Sequence, residues 1–405
     1  MGIVSQFGND PDIFFSRLLA GTSGIRLFSR DNEPIPISLP AAPCDAFDAD
    51  ETLGAEVARL MDRYSQMGHA ASLSAWRDAD LEISNERLDG GVSWGTALGG
   101  THTFEDGYRN LYLKSPPGRV SPLGVVMGMN NACASHTAMK LGLAGPCHTF
   151  SVACSSSTIA IGEGYRRIRS GECTVQLVGG SDATLSYGVL TAWKAMRVLA
   201  EGDETEAPHA CRPFDVSRKG LVLGEGAGAL VLEDWEMAQQ RGVRIYAEML
   251  GYGTSCDHAH LVRPNQAGQV RALRMAQQES GLDLTAFGHI NTHGTATREG
   301  DPIEIAAITE VFGAHASNIA VNATKSMHGH MLGATGAVET IATILALKHQ
   351  MIPPTANLQN IDPTCQGVRH VAGQALYLPD LKAALCNSFA FGGSNAVLAF
   401  CRTET

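Results

Sequence analysis

The sequence predicts an α/β fold built on a largely parallel, covered sheet. Two observations carry the prediction. Short apolar runs of β type, several of them stopped by glycine, alternate with stretches whose apolar residues recur at helical spacing. The 44 glycines, set against 6% aromatics, also call for many tight strand–helix turns and closely packed backbones. Strands that alternate with helices are joined by crossovers, and crossovers give parallel sheets with both faces covered.

The elements follow in chain order. A helix fits residues 55–67 and another residues 157–169. Residues 174–178, TVQLV, are a β-type run closed by Gly179 and Gly180. Residues 229–233, ALVLE, form a second run, and 234–241 read as helix. Further helices fit 266–281, 302–312 and 336–349, with strands at 289–292, 319–321 and 396–400. In 336–349 the residues Val338, Ile341, Ala342, Leu345 and Ala346 line one face. A weak boundary near 233–242 separates two mixed α/β stretches. No linker-like segment divides them, so the halves are expected to pack intimately.

Bulk properties narrow the function. The 405 residues, 44% hydrophobic, are ample for a large core. A formal net charge of -11 argues against binding nucleic acid through its phosphates. The ten cysteines form no CxxC pair, so neither a zinc ribbon nor a dithiol redox site is indicated, and they read as reduced thiols in a cytoplasm. The start, MGIVSQFGND, has no signal-peptide pattern, and no run is apolar and long enough to span a bilayer. The expectation is a cytoplasmic protein with no membrane or metal partner.

Four stretches can carry chemistry. In SVACSSSTIAIGEGYRRIRSG, Cys154 precedes three serines at what reads as a helix start. Serine hydroxyls there would cap the helix, and the positive end of its dipole would lower the thiol from its usual value of about 8.5. The same amides would hold an oxyanion once sulfur adds to a carbonyl. A lone cysteine is equally at home as a small buried hydrophobe. NTHGTATREGDPIE places His293 at a strand end, where α/β sites are built, with Asp301 and Glu304 reading as helix caps. NATKSMHGHMLGATGAVET sets Lys325, His328 and His330 in a glycine-rich loop. The lysine would keep the imidazoles neutral and fit to donate N–H hydrogen bonds, and it argues against a metal on the His328-x-His330 pair. His258 and His260 are a second such pair. CNSFAFGGSNAVLAF puts Phe389 and Phe391 beside Gly392 and Gly393, the pattern of a movable loop. The glycines from Gly224 to Gly228 loosely match a dinucleotide fingerprint, but they lead into a strand rather than a helix.

In this order, and together with RPFDVSRKGLVLGEGAG (212–228) and GYGTSCDHAH (251–260), these segments resemble the β-ketoacyl-acyl carrier protein synthases of the thiolase superfamily. The resemblance spans nearly the whole chain. It implies a duplicated five-layered α/β/α/β/α fold, with one half over residues 1–235 carrying Cys154 and the other over 236–405 carrying His293 and His330. It implies an acyltransferase of fatty acid or polyketide biosynthesis. In that chemistry Cys154 takes an acyl chain from an acyl carrier protein. His293 and His330 hold the malonyl thioester through decarboxylation, and Lys325 tunes the site. The amides of Cys154 and Phe391 would form the oxyanion hole, with Phe391 and Phe389 at the gate. Thr295 and Thr297 would meet the pantetheine arm, and Arg59, Arg63, Lys194 and Arg197 would dock the acidic carrier. No cofactor is implied beyond the carrier's phosphopantetheine. The partner is a second copy, or a chain-length partner in a type II polyketide or aryl-polyene pathway. A non-catalytic partner subunit and a cysteine hydrolase are the competing readings.

Several residues depart from the family pattern. The first strand is expected to be mostly absent, since the chain opens MGIVSQFG. Val152 stands for a threonine, Lys219 for an aspartate, Leu221 for a phenylalanine, and Val262 for a threonine that meets pantetheine. Ala390 replaces the gate glycine, and His328 a threonine. These departures point to specialised acyl specificity rather than housekeeping fatty acid synthesis.

Overall fold

The computed structural model describes residues 1–83 and 88–403. Its first half runs β1 (Gly2–Val4), α1 (Arg63–Asp78), β2 (Gly91–Gly95), α2 (Ala132–Leu141), β3 (Cys147–Phe150), α3 (Ser156–Arg169), β4 (Val175–Asp182), α4 (Tyr187–Ala195) and β5 (Gly226–Glu233). The second runs β6 (Glu248–Cys256), α5 (Gln266–Ser280), β7 (Phe287–Asn291), α6 (Gly300–Phe312), β8 (Ala320–Asn322), α7 (Thr335–His349), β9 (Arg369–His370), β10 (Ala383–Phe389) and β11 (Ser394–Cys401).

Each half folds its strands into one sheet, ordered β1-β5-β4-β2-β3 and β9-β8-β7-β10-β11-β6. Apart from the short β9, the two sheets have the same topology. The first strand of each half pairs antiparallel with the last, and the last antiparallel with the one before it. The remaining contacts are parallel. The chain is thus a duplication that its sequence does not display. The sheets are also less parallel than strand–helix alternation predicts. The reason is that β4 and β5, and likewise β10 and β11, follow each other without an intervening crossover helix on the sheet.

Five layers result. Helices α1 and α2 cover one face of the first sheet, α5 and α6 the outer face of the second, and α3 with α7 fill the space between. A single core crosses that middle layer, joining Ile161 and Val178 to Val338, Ile341, Ala384 and Leu398. Helix α7 is buried on every side from Thr335 to Leu347, not on one face, because a sheet lies on each side of it. The predicted helix over 55–67 is instead a single turn, Ala55–Ala58, followed by α1, which is capped by Asp62. The expected loss of the first strand is also corrected. Residues Gly2–Val4 pair with Ala227–Ala229 at the sheet edge.

The crossing of α3 and α7 admits no spare atoms. A Cβ on Gly336 would fall 1.9 Å from the Thr158 hydroxyl oxygen, which is itself bonded at 2.6 Å to Ser388. Gly336→Ala should therefore destabilise by about 1–3 kcal/mol through overpacking. A thermal unfolding midpoint unchanged from that of the parent chain would refute this close packing.

Candidate active site

The duplication places two equivalent junctions face to face. Strand β3 leads through residues 151–155 into α3, and β8 leads through residues 323–334 into α7. Cys154 lies in the first junction, Lys325 and His330 in the second, and His293 just past the carboxyl end of β7. Open α/β sheets build their sites at such carboxyl ends.

Cys154 sits on a tight turn. Ala153 before it has φ +48°, a left-handed conformation that a non-glycine residue adopts only when its surroundings enforce it. The serines do not cap α3 as expected. Ser155 and Ser156 donate back to the carbonyls of Val152 and Ala153, and Ser157 accepts from the amide of Ala337. The amides of Ser155 and Ser156 are spent on the Val152 and Ala153 carbonyls, so the backbone groups that favour charge on the sulfur are the amides of Phe391 and of Cys154 itself. Burial nevertheless pushes the thiol up to about 12, against the opposing pull of Lys325 and those two amides. The predicted lowering is reversed because the helix dipole is weaker than the loss of water around a buried sulfur.

His293 is held by its backbone. Its N–H and that of Gly294 each donate to the Glu304 carboxylate at 2.8 Å, and the Asn387 amide donates to the same carboxylate at 3.1 Å. Glu304 is thus an anchor rather than a helix cap. Asp301 also caps nothing; it accepts from the Phe214 amide and faces Arg218. His330 donates its N–H to Val222, and its Nδ1 pairs with the Thr335 hydroxyl at 3.0 Å. With Thr335 as donor, Nε2 of His330 carries the proton and has no partner among the described residues. Nδ1 of His293 is likewise buried and unpartnered.

One ring nitrogen from each histidine and the Cys154 sulfur lie within 4.8 Å of one another. The rings stand edge to face with centroids 5.4 Å apart, and Phe389 packs edge-on to His293 at 6.3 Å. Behind them Lys325 is fully buried and donates to both Glu339 oxygens at 2.8 Å. Burial lowers both imidazoles well below their usual value, and the Lys325 charge lowers them further. Burial also raises the Glu339 carboxyl, against the pull of the ammonium. A set of one thiol and two neutral imidazoles beside a fixed positive charge follows.

Asp182, at the end of β4, ties the loop after β2 to the second junction. Its carboxylate accepts from Thr96, the amides of Ala97 and Leu98, and the amide of Gly333 in the other half. A cavity of about 630 Å³ leads from Cys154, His293 and His330 past Thr295, Thr297 and Val262 to the surface. The β10–β11 hairpin lines one side of it. Gly392 and Gly393 have φ +82° and +74°, and the Phe391 ring stacks on Trp193 at 5.9 Å.

Other sequence candidates lie apart. His328 is buried, but both its ring nitrogens are engaged, by Gly329 and Thr324, so it makes no chelate with His330. His258 and His260 are exposed, and Nδ1 of His260 accepts from the Val262 and Arg263 amides. Arg63 is committed to Glu225 at 2.6 Å, which leaves its guanidinium little freedom to dock a partner. Arg59 and Lys194 are exposed, and Arg197 lines the cavity mouth.

Comparison with known proteins agrees with this geometry. The model of the β-ketoacyl synthase N-terminal domain matches residues 1–238, and that of the C-terminal domain matches 246–359. The chain belongs to the β-ketoacyl synthase family. It is 38% identical to 3-oxoacyl-[acyl-carrier-protein] synthase 2 of Staphylococcus aureus strain N315, over 100% of this chain and 97% of that one. It is 37% identical to the enzyme of the same name from Synechocystis sp., over 99% and 96%. Among solved structures, a β-ketoacyl synthase from Burkholderia phymatum superposes with TM-score 0.91 at 32% identity, covering 100% of this chain and 98% of that one. The ishigamide ketosynthase/chain length factor gives 0.90 at 32% identity with the same coverage. The fold is therefore the thiolase-like duplicated α/β/α/β/α arrangement, and the chain is a β-ketoacyl synthase enzyme.

Sequence reading missed Glu339, Asp182 and Trp193, and took Glu304 for a helix cap. Glu339 was detectable as the one charge inside the apolar run GAVETIATILAL. The others are linked to their partners only through the fold. Burial lowers the imidazoles most and the Lys325 charge adds to it, so removing the lysine should raise their pKa part of the way toward the usual value of about 6.5. The acid limb of the activity profile should then move to higher pH. The double variant Lys325→Met/Glu339→Gln leaves no unpaired buried charge and tests this by a pH–rate profile. An unchanged acid limb would contradict the role given to Lys325.

Proposed function

We propose that the chain elongates a fatty-acyl or polyketide chain by decarboxylative Claisen condensation with a malonyl-carrier thioester. The observation that carries the reading is one thiol and two imidazoles with a sulfur and two ring nitrogens within 4.8 Å, each ring having one nitrogen without a partner among the described residues, in a cavity open to the surface. The Cys154 sulfur attacks the acyl thioester, and its proton leaves with the pantetheine thiol. The oxyanion is held by the amides of Cys154 and Phe391, both already aimed at the sulfur. Imidazole N–H groups of His293 and His330 then hold the malonyl thioester oxygen while carbon dioxide departs. The resulting enolate carbon attacks acyl-Cys154 and displaces the sulfur. Neutral donors suit this step, because an imidazolium would quench the carbanion by giving it a proton.

In this reading Thr295 and Thr297, whose hydroxyls are 3.1 Å apart on the cavity wall, meet the pantetheine arm. Lys194 and Arg197 receive the acidic carrier protein, with Arg59 farther out and Arg63 held back by Glu225. No cofactor of its own is called for. A cysteine and two histidines can also ligate zinc, but a cation there would face the Lys325 ammonium, and we do not assign one. A cytoplasmic location accompanies this reading; among the described residues no helix is long and apolar enough to cross a membrane. The halves are taken as 1–235 and 236–405.

A second synthase-like chain is the natural partner. Strand β3 is an edge of the first sheet. Helices near it expose Tyr108, Tyr112, Val125 and Met139, an apolar face that a monomer rarely leaves open. A homodimer is the simpler assembly. Two solved relatives, the ishigamide ketosynthase/chain length factor and a ketosynthase in complex with its chain length factor from Xenorhabdus doucetiae, keep the heterodimer as the alternative. A homodimer measured by native mass spectrometry of the chain expressed alone would decide for the first.

Cys154→Ala should abolish acyl transfer from the carrier yet retain malonyl decarboxylation. His293→Ala should retain acylation and lose decarboxylation by about 100-fold or more. Intact-protein mass spectrometry reads the acyl-enzyme, and carbon dioxide release reads the second step. Acyl-enzyme in the Cys154 variant would sink the mechanism.

A further inference from the structure

The mouth of the active-site cavity is lined by Arg197, Lys219, Arg263 and Arg298, all exposed. None of the four forms an ion pair among the described residues, whereas their neighbour Arg218 is paired with Asp362 and faces Asp301. The one exposed carboxylate on the same wall is Glu299. Asp257, Asp301 and Glu304 lie deeper and are hydrogen-bonded. On a chain whose formal net charge is -11, an unneutralised cationic rim is a local concentration of charge aimed at an anion. Lys219 sharpens the point, since it stands where the family pattern has an aspartate.

Lys219 also belongs to a second hollow. A groove of about 480 Å³ shares this residue and is lined further by Glu201, Glu206, Arg212 and Gln359. The carboxylates and the Gln359 amide suit the one free ribose hydroxyl and a purine amino group, and Arg212, which forms no ion pair among the described residues, suits a 3′-phosphate. A groove of this size admits a nucleotide. The two hollows together match a molecule with a pantetheine arm, a diphosphate and an adenosine that carries a 3′-phosphate, joined in that order.

We propose that this rim and groove bind coenzyme A thioesters and that the enzyme loads Cys154 directly from acyl-coenzyme A. The inference rests on the acyl-transfer role given to Cys154 above. The pantetheine arm lies in the main cavity, the phosphates meet Lys219, Arg298 and their neighbours, and the adenosine occupies the groove. The step is a thioester exchange. A bond forms between the Cys154 sulfur and the acyl carbon, the carbon–sulfur bond to coenzyme A breaks, and the cysteine proton leaves on the coenzyme A thiol.

The test compares initial rates of Cys154 acylation, read by intact-protein mass spectrometry, from four donors bearing one acyl group: acyl-coenzyme A, acyl-4′-phosphopantetheine, acyl-pantetheine and acyl-carrier protein. The expected result is a kcat/KM for acyl-coenzyme A at least about ten-fold above that for acyl-pantetheine, the size of one good charge-assisted contact. Lys219→Asp should cut the ratio of the two by about ten-fold, and Lys219→Ala by less. Equal loading from acyl-coenzyme A and acyl-pantetheine, with acyl-carrier protein still active, overturns the inference, assigns the rim to the carrier and leaves the condensing role intact. A ratio unmoved in Lys219→Asp removes Lys219 from the site and overturns it too. Loading from none of the four donors defeats the role of Cys154 itself.

Discussion

The contact between the first turns of α3 and α7 governs the rest of the molecule. These helices are the same element of two duplicated halves, and each begins at a junction that carries chemistry. Gly336 lets α7 lie against Thr158, and the Ala337 amide donates to Ser157 at 2.9 Å. That approach fixes the distance between a sulfur from one half and an imidazole from the other. Asp182 adds a second tie between the halves, by accepting amides from the loop after β2 and from the second junction. A site assembled this way is rigid because its positioning groups are backbone and helix termini rather than long side chains.

Electrostatics follow from the same burial. Taking a thiol and two imidazoles out of water favours the uncharged form of all three, and the Lys325 charge, anchored by Glu339, lowers the imidazoles further. The fully buried pair is poor evidence for stability, because its desolvation offsets most of its attraction. Its retention is better explained by the state it imposes on the histidines. The price is a sulfur that is not pre-ionised, so the proton must move as the thioester is attacked. In the proposed mechanism the Cys154 and Phe391 amides compensate by stabilising negative charge at that moment.

Much of this was legible in the sequence, and the parts that were not share one cause. Cys154, His293, Lys325 and His330 each stand in a short segment whose local composition marks a strand end or a glycine-rich turn. The helices over 266–281, 302–312 and 336–349 were placed to within two residues because their apolar spacing is long and regular. The duplication stayed hidden because topology, not residue identity, repeats. The thiol's ionisation was misjudged for a related reason. A helix start is visible in the sequence, whereas the dry cavity around it is made by residues more than a hundred positions away. Glu304 and Asp301 read as caps because helix starts favour carboxylates; the fold instead spends them on backbone amides of neighbouring loops.

A dry site must still exchange two bulky thioesters in turn, and this places opposite demands on the β10–β11 hairpin. Gly392 and Gly393 supply left-handed backbone that other residues would resist, which permits the hairpin to move. Four interactions oppose that freedom. The Phe391 ring stacks on Trp193, the Gly392 amide donates to Leu261 at 2.7 Å, the Ala390 amide donates to Ser394 at 2.9 Å, and Asn395 bonds Asp257 at 2.7 Å. Ala390 adds a Cβ where the family pattern has glycine, which narrows the backbone states open to the hairpin. The resting position seen here is therefore the stable one, and opening requires the incoming arm to replace the stacking and hydrogen bonds it disrupts. A thioester that engages the mouth strongly can supply that free energy before its acyl group reaches Cys154. With the proposed rim binding, the arrival of the thioester and the motion of the hairpin become one event, which would link the choice of carrier to access to the sulfur.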